Sequence, residues 1–350
     1  MKYPALSLFL AFSLAHAQES PAPSPAPPGT SGEVAMDSYE RLEALDATQI
    51  KLATETIRSN HAESAALDET GMARATLRGL LEGLHPGAEL TGDEKPDPAA
   101  SPFRAEILDG RVGYVRLGSI ASGNLTQLDA ALQDFTAKKA EGIVLDLRAT
   151  PASEDFALAA QVCERFAPNG TPLFSLVRAS EKQDKIFTSS RAPAFSGVIV
   201  VLVDEDTAGA AEAVAAALRR HAKAMVVGSN TSGRALESAT LPLGGGHSLR
   251  YAVAEVRVDG LPNLYPRGLE PDLEVPQSPE DKKAILAGAL EKGVAGFVFE
   301  SGRERMNEAA LVAGTNPEID AQDSEAQLLD RPLQRAVDLV TAIKIFRKRG

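Results

Sequence analysis

The hydrophobic pattern of this chain changes character about a quarter of the way along. Residues 37–59 and 65–84 read as helices, the second with apolar positions near the 3.6-residue period and a stop signal at His85-Pro86-Gly87. A breaker-rich stretch, residues 91–102, follows. Beyond it short apolar runs alternate with helical patterns. Residues 106–108 and 112–117 flank Asp109-Gly110, a hairpin turn signal. A helix is expected over 125–139, then a buried strand over 142–148 (GIVLDLR), whose run of apolar residues suits burial on both faces. A helix over 154–166 and strands over 173–178 and 198–203 continue the theme, followed by an Ala-rich helix from about 210 and a strand over 224–227. Strands over 238–242 and 248–258 are separated by Gly244-Gly245-Gly246, which reads as a hairpin turn rather than a phosphate loop because no Lys-Ser/Thr pair follows it. Helices over 280–292 and 332–346 end the pattern, and no internal repeat appears.

Composition adds mostly exclusions. The chain has 350 residues, 44% hydrophobic and 24% charged, in the range of globular proteins. Its net charge of −12, without a basic stripe, argues against nucleic acid as a partner. The first 17 residues read as a secretory signal: Lys2, the apolar run 5–15, and a small-x-small cleavage site at Ala15-His16-Ala17. The apolar run is too short to span a bilayer, so no stable membrane span is expected after cleavage, and the mature chain is expected in the periplasm or outside the cell. Cys163 is the single cysteine and cannot form an internal disulfide; its apolar helical setting points to a buried, inert thiol. His85, His221 and His247 have no metal-like spacing, so no metal site is expected.

One segment carries chemistry. Asp206-Thr207-Ala208-Gly209-Ala210-Ala211-Glu212 joins the strand over 198–203 to the Ala-rich helix through a tight turn of small residues. Many hydrolases present a nucleophile above a sheet at such a turn. Here the turn offers glycine.

Four ordered motifs resemble peptidase family S41, the C-terminal processing or tail-specific proteases. GYVRLGSI (113–120) is similar to the family's first core strand and GIVLDLR (142–148) to its central strand. Residues 198–235 resemble the nucleophile segment, helix and lysine loop, and YPRGLEPDLEV (265–275) the signature after the last core strand. The resemblance implies a ClpP/crotonase-like α/β core, no cofactor, and a serine–lysine dyad in which an unprotonated lysine activates the serine. By alignment, the nucleophile position is Gly209, the lysine position is Arg234, 25 residues on, and the supporting glutamine falls on Ser238. Glycine has no attacking group, and arginine, with a pKa above about 12, cannot serve as a general base. The turn after the central strand, residues 149–153, also lacks the glycines that let the family's backbone approach an oxyanion. The family's PDZ domain, which captures peptides by strand addition, has no room here.

These departures set the expectations. The leading one is a pseudoprotease that binds a peptide or protein in the former active-site cleft, with Arg234, Ser232, Thr207 and Ser229 as candidate ligand-binding residues. Arg234 could bind a carboxylate bidentately, or simply pair with Glu237; Thr207 is expected to cap the following helix. The alternatives are a divergent serine peptidase using a displaced hydroxyl (Ser229, Ser232 or Thr207), and an inactive subunit of a homo-oligomer or of a paralogous protease. Asp146 and Arg148 are expected to stabilise the core edge. The organisation expected is a signal peptide (1–17), a Pro/Ser-rich tether (18–35), an N-terminal helical region (36–90), a linker (91–103), the protease-like core (104–278) and a C-terminal helical extension (279–350).

Overall fold

The computed structural model describes residues 42–61, 67–92, 102–109, 111–148, 150–180, 183–299 and 328–349. The expected signal peptide and tether, most of the linker, Gly110 of the hairpin turn and Ala149 lie outside the described residues. The chain divides into two compact units, residues 1–76 and 77–350.

The first unit holds α1 (Ala47–Asn60), which begins afresh after a break at residues 44–46 that follows helical residues 42 and 43. The cause is a reciprocal cap. Asp46 Oδ1 accepts the Gln49 N–H at 2.8 Å, and Gln49 Oε1 accepts the Asp46 N–H at 2.9 Å. The next helix, α2 (Glu69–Leu84), crosses the division; Asp68 Oδ1 fixes its start by accepting the Gly71 N–H at 2.7 Å.

In the second unit the elements are β1 (Ala88–Thr91), β2 (Arg104–Leu108), β3 (Val112–Arg116), α3 (Ser122–Ala137), β4 (Gly142–Asp146) and α4 (Phe156–Glu164). They continue as β5 (Pro172–Val177), β6 (Lys185–Thr188), β7 (Val198–Val203), α5 (Ala210–His221) and β8 (Met225–Gly228). The chain then runs through β9 (Leu236–Gly244), β10 (His247–Arg257), β11 (Leu273–Glu274), α6 (Pro279–Lys292) and α7 (Arg331–Arg349). A six-stranded sheet in the order β11-β8-β7-β4-β3-β2 is parallel except for the β2–β3 hairpin. A second, antiparallel sheet places β9 along one side of β10, with β1 and β5 along the other and β6 outside β5.

Both faces of the parallel sheet are buried, which explains the unbroken apolar runs of β4 and β7. Ile143, Leu145, Val201 and Val203 face the helices α3, α4 and α5. Val144, Val198, Val200 and Leu202 face Leu333, Ala336, Val337 and Val340 of α7. Each such side chain stabilises the fold by about 1.5–3 kcal/mol relative to exposure. A buried ionic network joins these layers. Arg148 donates to Asp146 through Nε (2.9 Å) and Nη2 (2.8 Å), and to Asp330 through Nη1 (2.9 Å) and Nη2 (2.8 Å). Burial opposes the charge on Asp146, but Arg148 outweighs it and holds the carboxyl below its usual range. Asp330 also accepts the Leu333 N–H at 3.0 Å, so the start of α7 is pinned to the end of β4.

Three strands have no counterpart in the sequence reading. β1, β6 and β11 have four, four and two residues, too few for a period to show. Cys163 is fully buried and its thiol is pushed up by that burial.

Candidate functional site

The strand β7 delivers the chain to a turn held by Asp204 and Thr207. Thr207 donates both its N–H (3.0 Å) and its hydroxyl (2.9 Å) to Asp204 Oδ1, and its Oγ1 accepts the Asp204 N–H at 3.0 Å. The expectation that Thr207 caps the following helix is therefore corrected: its hydroxyl closes the turn before α5. The cap residue is Gly209, at φ +59° and ψ −121°, a conformation that suits glycine.

Glu212, in the first turn of α5, organises the site. Its Oε1 accepts the Thr231 hydroxyl (2.5 Å) and the Gly233 N–H (2.8 Å). Its Oε2 accepts the Arg234 N–H (2.8 Å), the Gly209 N–H (3.1 Å) and the Ser232 hydroxyl (3.3 Å). The carboxyl is wholly buried with no cation on it among the described residues, and burial raises its pKa against the pull of these donors. One side chain thus stitches the turn at 209 to the loop 229–234.

The turn after β4 lies directly on this arrangement. Ser153 and Gly209 form an isolated parallel bridge, and the Ala210 N–H donates to the Ser153 carbonyl at 2.7 Å. A Cβ at position 209 would stand 2.4 Å from that same oxygen. Glu154 extends the clamp: its Oε2 accepts the Ser238 N–H at 2.8 Å and its Oε1 accepts Arg250 Nη2 at 2.5 Å. Arg250 reaches Glu89 of β1 at 3.1 Å as well.

Arg234 and Ser238 line one small recess with Glu154 and Arg250. Its volume is about 20 Å³, room for a water and little more. The Arg234 side chain is exposed and makes no ion pair or side-chain hydrogen bond among the described residues. The simple pairing with Glu237 does not form, because Glu237 is taken by Arg178. Ser232 stands beside this recess through its bonds to Glu212 and the Arg234 N–H. Ser229 does not join them. It lines a separate recess of about 10 Å³ with Lys282 of α6. Burial disfavours the Lys282 ammonium, but Asp204 (2.8 Å) and Asp206 (2.7 Å) outweigh it and hold the pKa well above the ordinary lysine value. With Glu205 at 3.2 Å, three carboxylates converge on that ammonium, which occupies the place a cation would take.

Residues 111–275 match the model of peptidase family S41. The chain is a member of that family. A carboxyl-terminal-processing protease of Synechocystis sp. is 28% identical over 228 residues, 61% of this chain and 52% of its own length. A carboxy-terminal-processing protease of Bartonella bacilliformis is 27% identical over 234 residues, 64% of this chain and 53% of its own length. The chain spans about half the length of these curated relatives. Among solved structures, the photosystem II D1 C-terminal processing protease is 21% identical, covering 59% of this chain and 53% of its own, with a TM-score of 0.43.

For an S41 member, the residues aligned with the dyad are distributed unevenly. Gly209, Arg234 and Ser238 do surround one place, while Thr207 and Ser229 face elsewhere. Two residues that organise the site were not singled out from sequence. Glu212 carried a local signal, an acid in the first turn of a helix, where it meets free N–H groups. Glu154 carried none, since its partners lie 84 and 96 residues away. No helix among the described residues is long and apolar enough to cross a membrane.

Proposed function

We propose that this chain is an exported, non-proteolytic member of family S41 that holds a peptide or protein segment where active relatives would cut. The Ser153 carbonyl carries the reading. A serine–lysine peptidase needs a hydroxyl, a neutral amine and free oxyanion donors. Position 209 has no side chain, and the residue at 234 is a guanidinium, which cannot supply the neutral amine. The Ala210 N–H, which follows the aligned nucleophile position and would be an oxyanion donor, is engaged by Ser153 at 2.7 Å. Export rests on the leader-like residues 1–17, which lie outside the described residues.

The ligand reading narrows to Arg234. Thr207 and Ser232 have their hydroxyls engaged by Asp204 and Glu212. Arg234 alone offers an exposed guanidinium, able to grip a carboxylate through two N–H groups. The test incubates the mature chain with an unfolded protein substrate and measures affinity for peptides with free and amidated C-termini. Expected are no cleavage and a free-acid preference lost in Arg234→Ala. Cleavage that survives rigorous purification overturns the reading.

A second reading draws on Ser229, which shares its recess with Lys282. A displaced dyad there would need Lys282 neutral, yet its carboxylate partners keep it protonated. Activity abolished by both Ser229→Ala and Lys282→Met, but not by Arg234→Ala, would establish it.

A further inference from the structure

A far roomier concave surface of the core lies away from the aligned dyad. It is a groove of about 450 Å³ between α4 and the strand β6 and the segment after it, against about 20 Å³ beside Arg234. Three observations say what it can hold.

The first is topological. β6 is the terminal strand of the antiparallel sheet, paired to β5 on one side and to no strand on the other among the described residues. An open edge presents a row of N–H and C=O groups that an extended chain can match. Edge strands are commonly protected by a lysine projecting outward. Here Lys185 lays its ammonium over the Phe187 ring, 5.0 Å from the centroid, while Ile186 stays 62% exposed.

The second is shape. Ala157 and Ala160, one turn apart on α4, leave the helix wall low opposite Phe187, whose ring rests on Phe174 with centroids 4.9 Å apart. The far end is braced. Glu164 accepts the Ser190 N–H at 3.2 Å and its hydroxyl at 3.1 Å, so the chain leaving β6 is tied to the end of α4. The groove is therefore preformed, which lowers the cost of binding.

The third is charge. In a chain of net charge −12, this groove is lined by two cations, Arg165 and Arg191, against one carboxylate, Glu164, which is already engaged by Ser190. Arg165 is buried and committed to Asp129 at 2.7 Å and to the Gln161 carbonyl at 2.5 Å. Arg191 is half exposed and its single ion-pair contact among the described residues, to Asp129, is a long 3.6 Å. Its guanidinium is available for a carboxylate from outside. A second copy of this chain docked edge to edge would bring the same cationic edge and no carboxylate from β6, whose residues are Lys185–Thr188, so the groove favours a different, acidic occupant.

We propose that the groove between α4 and β6 is a peptide-docking site, which takes an extended acidic segment as an added strand beside β6 and seats one of its carboxylate side chains on Arg191. It is a separate site from the Arg234 recess. The core itself supplies both the open edge and the helix wall that an added strand needs.

The probe is an acetylated, amidated ten-residue peptide of alternating valine and glutamate, labelled with fluorescein, and a matched valine–lysine peptide is the control. Blocked ends remove the terminal carboxylate, and Arg234→Ala reports whether a glutamate side chain of the probe uses that recess instead. Fluorescence polarisation with the full mature chain should show saturable binding of the acidic peptide, at least tenfold tighter than the basic one. Arg191→Glu should weaken it at least tenfold. Ala157→Trp, which fills the groove from an exposed helix position, should do the same with unchanged circular dichroism, whereas Arg234→Ala should change nothing. Hydrogen exchange at residues 185–188 should slow when the peptide is bound. Absence of binding at millimolar peptide, equal binding of both peptides, indifference to Arg191→Glu and Ala157→Trp, or self-association through the same residues would each overturn the proposal.

Discussion

The recess beside Arg234 and the groove beside β6 invert each other. The first gathers two of the three residues that align with catalytic chemistry, Arg234 and Ser238, and gives them space for a single water. The second offers over twenty times that space and contains no aligned residue at all. The difference lies in hydrogen bonding. Around position 209 almost every donor is answered from within the chain: Gly209, Gly233 and Arg234 by Glu212, Ala210 by Ser153, Ser238 by Glu154. Along β6 one whole edge is unanswered among the described residues. Unmet hydrogen-bonding capacity, more than inherited position, marks where a ligand can gain something by arriving.

The sharpest way to break this comparison is to unpick the closed side. Glu212→Gln sets an amide NH₂ against donors that need an acceptor, and should cost about 3 kcal/mol or more, read by urea denaturation. The effect depends on pH. Because burial lifts the Glu212 carboxyl above its ordinary 4.5, the folded state keeps a proton there that the unfolded chain has released. Its contribution is greatest below 4.5 and declines as pH rises through the raised value, so the advantage of wild type over Glu212→Gln should narrow towards neutrality. A smaller loss is expected from Gly209→Ala. Its Cβ meets the Ser153 carbonyl and its φ is strained for alanine, together about 2–4 kcal/mol by thermal melting. A loss under about 0.5 kcal/mol would mean that the turn at 150–153 yields easily and the recess opens at little cost. The mildest change is Glu154→Ala. It frees the Ser238 N–H and one side of Arg250 for about 1 kcal/mol, and should appear as faster amide exchange at Ser238 with little change in melting.

The sequence reading succeeded where a period or a backbone requirement was at stake. The apolar runs of β4 and β7, the Gly244–Gly246 hairpin and the glycine at the head of α5 all rest on local rules. It missed β6, because KIFT is four residues long and follows a charged stretch, so the groove it edges could not be foreseen. It also took Thr207 for a helix cap, since nothing local distinguishes a hydroxyl that closes a turn from one that opens a helix. Long-range closure was out of reach. The Ser153 carbonyl sits 56 residues from Gly209 in sequence, and Arg148 finds Asp330 182 residues away. Backbone carbonyls carry no residue-type signal, and a buried ion pair shows in sequence as two ordinary charged residues.

The last helix has a consequence in time. Val198, Val200 and Leu202 leave the ribosome more than a hundred residues before Leu333, Ala336 and Val340, which cover them. At roughly 5–20 residues per second the sheet waits on the order of ten seconds with one apolar face bare. The Arg148 guanidinium waits as long for its second carboxylate. A nascent chain in that state is unfinished, with apolar surface open to wrong contacts until synthesis reaches α7.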